Sequence, residues 1–145
     1  MIHFEGTETF PGPPAEVAAK LTDAGWLARC IPDAEITAAE RDRAAWKVKP
    51  KLAFAAGVLD STATVVSRTD DTVTYRIAAK GVGAGSTVEA TLAFREAAGG
   101  TAVAWTGDIT ELTGLLKMVP KGLIQSAAQK VIADVWAAVK AKAGA

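Results

Sequence analysis

The sequence predicts an α+β fold in which a curved antiparallel sheet of about seven strands wraps around one long C-terminal helix, with two short helices after the first strand. Near the C-terminus the apolar residues recur three and four positions apart, the spacing of a helix with one buried stripe. The members of this predicted stripe are Ile124, Ala127, Ala128, Val131, Ile132, Val135 and Val139. From Ile36 to Glu111 the apolar residues recur at every second position, the spacing of strands that bury one face. The turns between these strands are short, and short connections require antiparallel neighbours.

The composition excludes several classes of protein. The chain has 145 residues, 50% of them hydrophobic, so we expect a single domain over residues 1–145 with a core of its own. The 16 basic and 16 acidic side chains balance, so nucleic acid is not an expected partner. One cysteine, Cys30, cannot form an intrachain disulfide, which fits a reducing compartment. The N-terminus lacks a signal-peptide pattern and no apolar run has membrane-spanning length, so we expect a cytoplasmic protein.

The first third of the chain predicts one strand followed by two short helices. Ile2, Phe4 and Phe10 alternate with polar residues, and the prolines at positions 11, 13 and 14 end this strand. Residues 16–21 and 26–31 have helical spacing, and the break between them is predicted at residues 23–25. Pro32 ends the second helix.

The middle of the chain predicts short strands joined by turns. Lysines alternate with apolar residues from Trp46 onward, and turns are predicted at residues 42–43, 70–71 and 99–100. The glycine-rich residues 81–85 resemble a phosphate-binding loop only superficially, because a strand and not a helix follows them. A bulge or a wide turn, where the sheet bends, is the favoured interpretation.

The last helix completes the predicted architecture. Pro120 suits a first helical turn, Lys140 and Lys142 suit the negative end of the helix dipole, and Gly144 is a stop signal. A sheet with one apolar face and a helix with one apolar stripe each hide that surface on the other. A curved sheet closed by a single helix is expected to leave an internal cavity.

Several segments resemble one known family. Residues 27–35, Leu-Ala-Arg-Cys-Ile-Pro-Asp-Ala-Glu, are similar to the Cys-Ile-Pro-Gly-x-Glu segment of the carbon monoxide dehydrogenase CoxG family, a branch of the START-like (SRPBCC) helix-grip superfamily. Asp33 stands where that family has glycine, which suggests a changed turn. The resemblance covers nearly the whole chain and includes Phe4-Glu5-Gly6, Gly85-Ser86, Gly99-Gly100-Thr101, Gly107-Asp108 and Thr113-Gly114-Leu115.

The resemblance implies a non-catalytic protein that binds a hydrophobic ligand. The implied ligand is a membrane quinone, menaquinone-like, or another lipid, held between the sheet and the C-terminal helix, and no covalent cofactor is implied. The implied partner is an aerobic carbon monoxide dehydrogenase or a related molybdenum hydroxylase, to which the ligand would be delivered or which would be recruited to the membrane. The expected location is cytoplasmic and peripheral, at the inner face of the cell membrane. Two alternatives remain open: an enzyme of the polyketide cyclase or aromatase kind on the same fold, and a ligand-free adaptor for the dehydrogenase.

Apolar residues on the inward strand positions and on the last helix predict the wall of the cavity. Plain core packing is the alternative for the aromatic ones, because cores use the same residues. The predicted wall is Trp26, Trp46, Leu52, Phe54, Tyr75, Ile77, Phe94, Trp105, Leu112, Leu115, Leu116, Met118, Leu123, Ile124 and Val131.

The loop before the last helix is unusually apolar for a loop. It predicts a gate over the cavity or a contact with a membrane or a partner protein, in which lysines reach toward lipid headgroups. Packing of the same residues back onto the core is the alternative. The predicted contact residues are Leu115, Leu116, Lys117, Met118 and Lys121.

No catalytic residue and no metal ligand is predicted. His3, the single histidine, is read as an exposed strand residue, and one histidine with one cysteine cannot build a zinc site or a Cys–His nucleophile. Cys30 is read as a buried apolar residue, with a thiolate favoured by Arg29 as the alternative. The acids Asp60, Asp108 and Glu111 show no paired geometry in the sequence.

Overall fold

The computed structural model describes residues 2–49, 58–81 and 83–143. In these segments seven strands and three helices follow one another, and residues Leu115–Met118 form a 3-10 turn between the last strand and the last helix. The predicted α+β fold, with two short helices after the first strand and a long helix at the end, is confirmed. The elements are β1 (Ile2–Pro11), α1 (Pro14–Leu21), α2 (Ala24–Ala28), β2 (Glu35–Ala39), β3 (Arg43–Val48), β4 (Leu59–Arg68), β5 (Thr72–Gly81), β6 (Ala84–Ala97), β7 (Gly100–Gly114) and α3 (Lys121–Ala143).

The described strands form one antiparallel sheet in the order β1-β7-β6-β5-β4-β3-β2. The first strand, β1, is therefore an edge strand, and it pairs with β7 from Ile2 opposite Ile109 to Pro11 opposite Gly100. The pairing register shifts in β2, in β4 and between β6 and β7, at residues 36–38, 65–67 and 87–88. Gly81 pairs with Ala84 and Gly85 with Lys80 in a regular register, so the described part of this glycine-rich stretch shows no bulge between β5 and β6.

The two short helices are joined differently from the prediction. The predicted break at residues 23–25 exists but is shorter and lies earlier, at Thr22 and Asp23, because the Asp23 carboxylate caps α2 by accepting from the Trp26 backbone N–H at 3.1 Å. Gly25 lies inside α2, where an added Cβ would come within 2.9 Å of the Ala39 carbonyl carbon. The absence of a side chain at Gly25 therefore lets α2 pack closely against the end of β2.

The end of α1 is tied to the sheet by two side chains. The Tyr75 hydroxyl on β5 donates to the Leu21 carbonyl at 2.7 Å, and the Arg68 guanidinium on β4 donates to the Thr22 carbonyl at 2.8 Å. Carbonyls at a helix C-terminus have no partner inside the helix, so these two bonds satisfy groups that would otherwise be unpaired.

The interior consists of two groups of buried apolar residues. The main cluster joins α1, α2 and the inner face of the sheet to the C-terminal end of α3, and it includes Leu21, Val103 and Val139. The second cluster lies under the N-terminal half of α3, and it contains Phe4 and Ile124. The two clusters meet at the indole of Trp105, which packs against both.

The long helix α3 turns a slightly different face to the sheet than predicted. It begins at Lys121, one residue after Pro120. Ile124 and Val139 are buried as predicted, but Val131, also placed on the buried stripe, is 48% exposed. Trp136, which the predicted stripe omits, packs into the main cluster. The other predicted stripe residues are buried or partly buried, so Val131 lies at the edge of the buried face and Trp136 widens it on the other side.

Candidate functional site

The predicted cavity residues on the strands lie together in the interior. Trp46, Tyr75 and Phe94 are 7%, 3% and 6% exposed and belong to the main cluster, against which Trp26 and Ile77 pack. Three other residues of the predicted cavity wall belong to or pack against the second cluster, and these are Leu112, Leu116 and Ile124. Trp105 packs against both clusters.

Other members of the predicted set face solvent. Leu115 and Met118 in the 3-10 turn are 60% and 82% exposed, and Leu123 in the first turn of α3 is 55% exposed. Lys117 and Lys121, predicted to contact a membrane or a partner, are exposed beside them. The predicted wall residues Leu52 and Phe54 lie outside the described residues.

A groove of about 550 Å³ runs between the edge strand β1 and the helix α3. Its β1 wall spans residues 3–8 and its α3 wall spans residues 129–140, so the groove follows both elements along their length. Five residue steps of a strand measure about 17 Å, so the groove is elongated. The lining residues are His3, Phe4, Glu5, Glu8, Trp105, Gln129, Ile132, Ala133, Trp136, Ala137 and Lys140.

The interior side of the groove is aromatic. The indole rings of Trp105 and Trp136 lie 6.0 Å apart between centroids, and Trp136 is 6.2 Å from the ring of Phe10. Trp105 reaches the groove because its opposite residue on β1 is Gly6, where an added Cβ would lie 2.8 Å from the indole Cζ2. The Trp105 indole nitrogen is buried without a hydrogen-bond partner.

An ion pair lies at one end of the groove. Lys140, in the last turns of α3, places its Nζ 2.8 Å from Glu8 Oε1 on β1. The two side chains are 35% and 23% exposed. This pair joins the helix to the sheet edge, and both partners line the groove.

The other end carries a histidine between two carboxylates. Protonated His3 donates from Nδ1 to Asp108 Oδ1 at 2.6 Å and from Nε2 to Glu5 Oε1 at 2.9 Å. These hydrogen bonds raise the pKa of His3 above its usual 6.5, and the bond to Asp108 has a larger effect than the bond to Glu5. Both ring nitrogens of His3 are thus engaged by carboxylates in this arrangement.

The arrangement is suited to binding an elongated, mostly apolar molecule. The rings of Phe4, Trp105 and Trp136 offer apolar contact to flat molecules, and the same lining also carries polar or charged side chains. Of the described residues predicted for the cavity wall, Trp105 alone lines this groove. Sequence reasoning missed Trp136, Glu8 and Lys140. The sequence did contain a signal for Glu8: it lies an even number of positions from Phe4 and Phe10, so its charged side chain shares their inward face of β1.

The cysteine is part of the core. Cys30 is 6% exposed, its thiol donates to the Trp26 carbonyl at 3.4 Å, and Arg29 is exposed beside it. Burial raises the pKa of the Cys30 thiol, only partly offset by the positive charge of Lys142. The structure therefore favours the buried apolar interpretation over the reactive thiolate.

Residues 2–49, 58–81 and 83–143 contain neither a metal site nor a membrane-spanning helix. No group of three or more His, Cys, Asp and Glu side chains is arranged to hold a metal ion within these ranges. Over the same ranges, no helix combines the length and apolar character needed to cross a membrane.

An antiparallel sheet closed over a long C-terminal helix is the START-like fold. Solved structures share this fold. A START superfamily protein from Mycobacterium smegmatis matches with a TM-score of 0.69 at 8% identity, over 98% of this chain and 97% of that one. A conserved protein from Geobacillus kaustophilus matches with a TM-score of 0.83 at 16% identity, over 99% of this chain and 95% of that one.

The family follows from the sequence match. The model of the CoxG family, whose name denotes a subunit of carbon monoxide dehydrogenase, matches residues 6–144, and the chain belongs to this family. The resemblance carried by residues 27–35 is thereby confirmed. A comparison with curated proteins gave no match. Asp33, which replaces the family's glycine, has a φ of 58°, a conformation that glycine adopts without strain.

Proposed function

We propose that this protein is a non-catalytic carrier of a hydrophobic ligand, a menaquinone-like isoprenoid quinone, which it holds between the sheet and α3. In this proposal it delivers the quinone to an aerobic carbon monoxide dehydrogenase or a related molybdenum hydroxylase, or recruits that enzyme to the membrane. The observation that carries the proposal is the groove of about 550 Å³ with its aromatic floor. Membership of the CoxG family, which is named for a subunit of that dehydrogenase, supports the choice of partner.

The size and chemistry of the groove support such a ligand. Its volume lies within the range of roughly 300–1,000 Å³ typical of small-molecule sites. The indoles of Trp105 and Trp136 offer flat apolar surface for a ring, and Phe4 and Ile132 extend the apolar surface along the groove for a chain.

The residues before α3 support transient contact with a membrane. Leu115, Met118 and Leu123 are exposed large apolar side chains within nine positions, and Lys117 and Lys121 flank them. An apolar patch bordered by lysines favours the surface of a membrane with anionic lipids, because the lysines remain in the headgroup layer. In the proposal the protein is peripheral at the inner face of the cell membrane and collects its ligand there.

Binding is tested with isoprenoid quinones of increasing chain length added to the purified protein. We expect one quinone per chain, and we expect Ala133→Phe, which fills the groove, to reduce affinity by at least about tenfold. Ser126→Phe adds the same ring to an exposed position on α3 outside the groove, so it should bind like the wild type. A wild-type protein that binds no quinone would refute the carrier and favour the ligand-free adaptor.

Uptake from the membrane is tested separately with quinone-loaded liposomes. Replacing Leu115, Leu116 and Met118 together with serine should slow uptake while quinone added in detergent still binds. Val66→Ser, which removes an exposed apolar side chain from β4, is the control. Unchanged uptake in the triple variant would show that this segment is neither a gate nor a membrane contact.

The enzyme alternative has less support from the geometry. The Tyr75 hydroxyl bonds to a backbone carbonyl and not to an acid, and both nitrogens of His3 are engaged by carboxylates. An active site would instead require a proton donor or acceptor free to reach a substrate. Turnover of a bound polyketide-like ligand by the purified protein would reverse this preference.

A further inference from the structure

The charged groups of the groove are already paired within the protein. Glu8 pairs with Lys140 at one end, and His3 pairs with Glu5 and Asp108 at the other. We propose that this pairing makes the groove selective for uncharged ligands and that Glu8 is the residue that determines the selectivity. The inference rests on the proposed function, because it assumes that the groove is the binding site.

Glu8 occupies an unusual position for a carboxylate. It follows Phe4 and Gly6 at inward positions of β1 and precedes Phe10, so its side chain belongs to the face that packs toward α3. It is only 23% exposed, and a carboxylate there requires a compensating cation. Lys140 supplies that cation from the last turns of α3, where a positive charge also suits the helix dipole.

The pair discriminates against charged ligands of either sign. An anionic head group that approaches Lys140 must displace Glu8, whose carboxylate then faces the new anion at the same end of the groove. A cationic head group that approaches Glu8 must displace Lys140 in the same way. Breaking a partly buried pair leaves one charge uncompensated, so either displacement is costly. An uncharged ligand leaves the 2.8 Å contact between Glu8 and Lys140 intact.

A second ion pair on α3 provides a matched control. Lys130 Nζ lies 3.2 Å from Asp134 Oδ2, both side chains are more than half exposed, and neither residue lines the groove. Asp134→Asn leaves a lysine of α3 unpaired, as Glu8→Gln does, but on the solvent side of the helix.

The test compares two fluorescent probes that differ by one charged group. N-phenyl-1-naphthylamine is uncharged, and 8-anilinonaphthalene-1-sulfonate is the same ring system with a sulfonate. The wild type should prefer the uncharged probe. In Glu8→Gln the free Lys140 should shift the ratio of the two Kd values toward the sulfonate by roughly fivefold. Asp134→Asn should leave the ratio unchanged, and Lys140→Met should shift it further toward the uncharged probe.

The outcomes separate this inference from the proposed function. Circular dichroism checks that each variant is folded, because the sulfonate probe also binds loosened proteins, and Ala133→Phe checks that both probes occupy the groove. A ratio that stays the same in both Glu8→Gln and Lys140→Met would overturn the selectivity role while leaving the carrier intact. Failure of both probes to bind the wild type would overturn the groove as a binding site and the selectivity with it.

Discussion

The hydrogen bond from Tyr75 to α1 gives a quantitative test of how the helices are held on the sheet. The Tyr75 hydroxyl donates to the Leu21 carbonyl at 2.7 Å, and Tyr75 is 3% exposed. Tyr75→Phe removes the donor and leaves the carbonyl buried, which costs about 1.5 kcal/mol. The entropy of unfolding is about 2.1 cal/mol/K per residue, or about 0.3 kcal/mol/K for this chain of 145 residues. The expected decrease in Tm is therefore about 5 °C.

Differential scanning calorimetry measures this decrease, and Thr74→Val is its control. Thr74 is the neighbour of Tyr75 on the opposite face of β5, where its hydroxyl contacts that of Thr91 at 3.1 Å in a half-buried position. We expect the control to lower Tm by less than about 2 °C, because a half-buried hydroxyl pair contributes less. A decrease below 1 °C in Tyr75→Phe would refute the argument.

The same variant also locates the ligand. Tyr75 does not line the groove, so the affinity for N-phenyl-1-naphthylamine should stay within about twofold of the wild type. A larger loss of affinity would place the ligand beside Tyr75 in the main cluster, in agreement with the sequence prediction that Tyr75 lines the cavity.

Three further predictions concern single positions. His3 should have a pKa above 6.5, mainly because the Asp108 carboxylate accepts a hydrogen bond from its ring, with a smaller effect from Glu5. The contribution of protonated His3 to the free energy of unfolding is complete below pH 6.5 and is lost as the pH rises through the raised pKa. A proton NMR titration measures this pKa, Asp108→Asn should lower it, and a wild-type value at or below 6.5 would contradict the geometry. Gly114→Ala should lower the free energy of unfolding, measured with urea, by about 2 kcal/mol or more, because φ is 61° and the added Cβ would overlap the Gly83 carbonyl. Gly107→Ala is the control and should be tolerated, because the space around Gly107 is open. Asp33→Gly should be more stable than Asp33→Ala by about 1 kcal/mol, because both lose the carboxylate and only glycine accepts a φ of 58° freely; equal stabilities would show that the backbone there relaxes.

The fold was predictable because it depends on periodicity. Alternating apolar residues define strands regardless of which strands become neighbours, and short turns then force them to be antiparallel. The capped start of α2 was also readable, since Asp23 followed by a helical run is an N-cap signal that the predicted break overlooked.

The groove was not predictable because it depends on a long-range pairing. Glu8 and Lys140 are separated by almost the entire chain, and their contact exists only because β1 lies at the sheet edge next to α3. Periodicity places Glu8 on an inward face but does not say what that face meets. The exposure of Val131 is likewise a matter of how far α3 is rotated against the sheet, which packing and not spacing decides.

The pairing of the first strand with the last has a consequence for biosynthesis. Strand β1 pairs only with β7, from Pro11 opposite Gly100 to Ile2 opposite Ile109, so residues separated by about 90 to 107 positions must meet to place β1 in the sheet. A ribosome that has released the chain only as far as β6 holds β1 without its sheet partner β7, and α3 emerges after all seven described strands. Contacts of such long range form slowly because a large loop must close first. The groove needs both β1 and α3 as walls, so a chain truncated before α3 would lack the groove at the β1 edge.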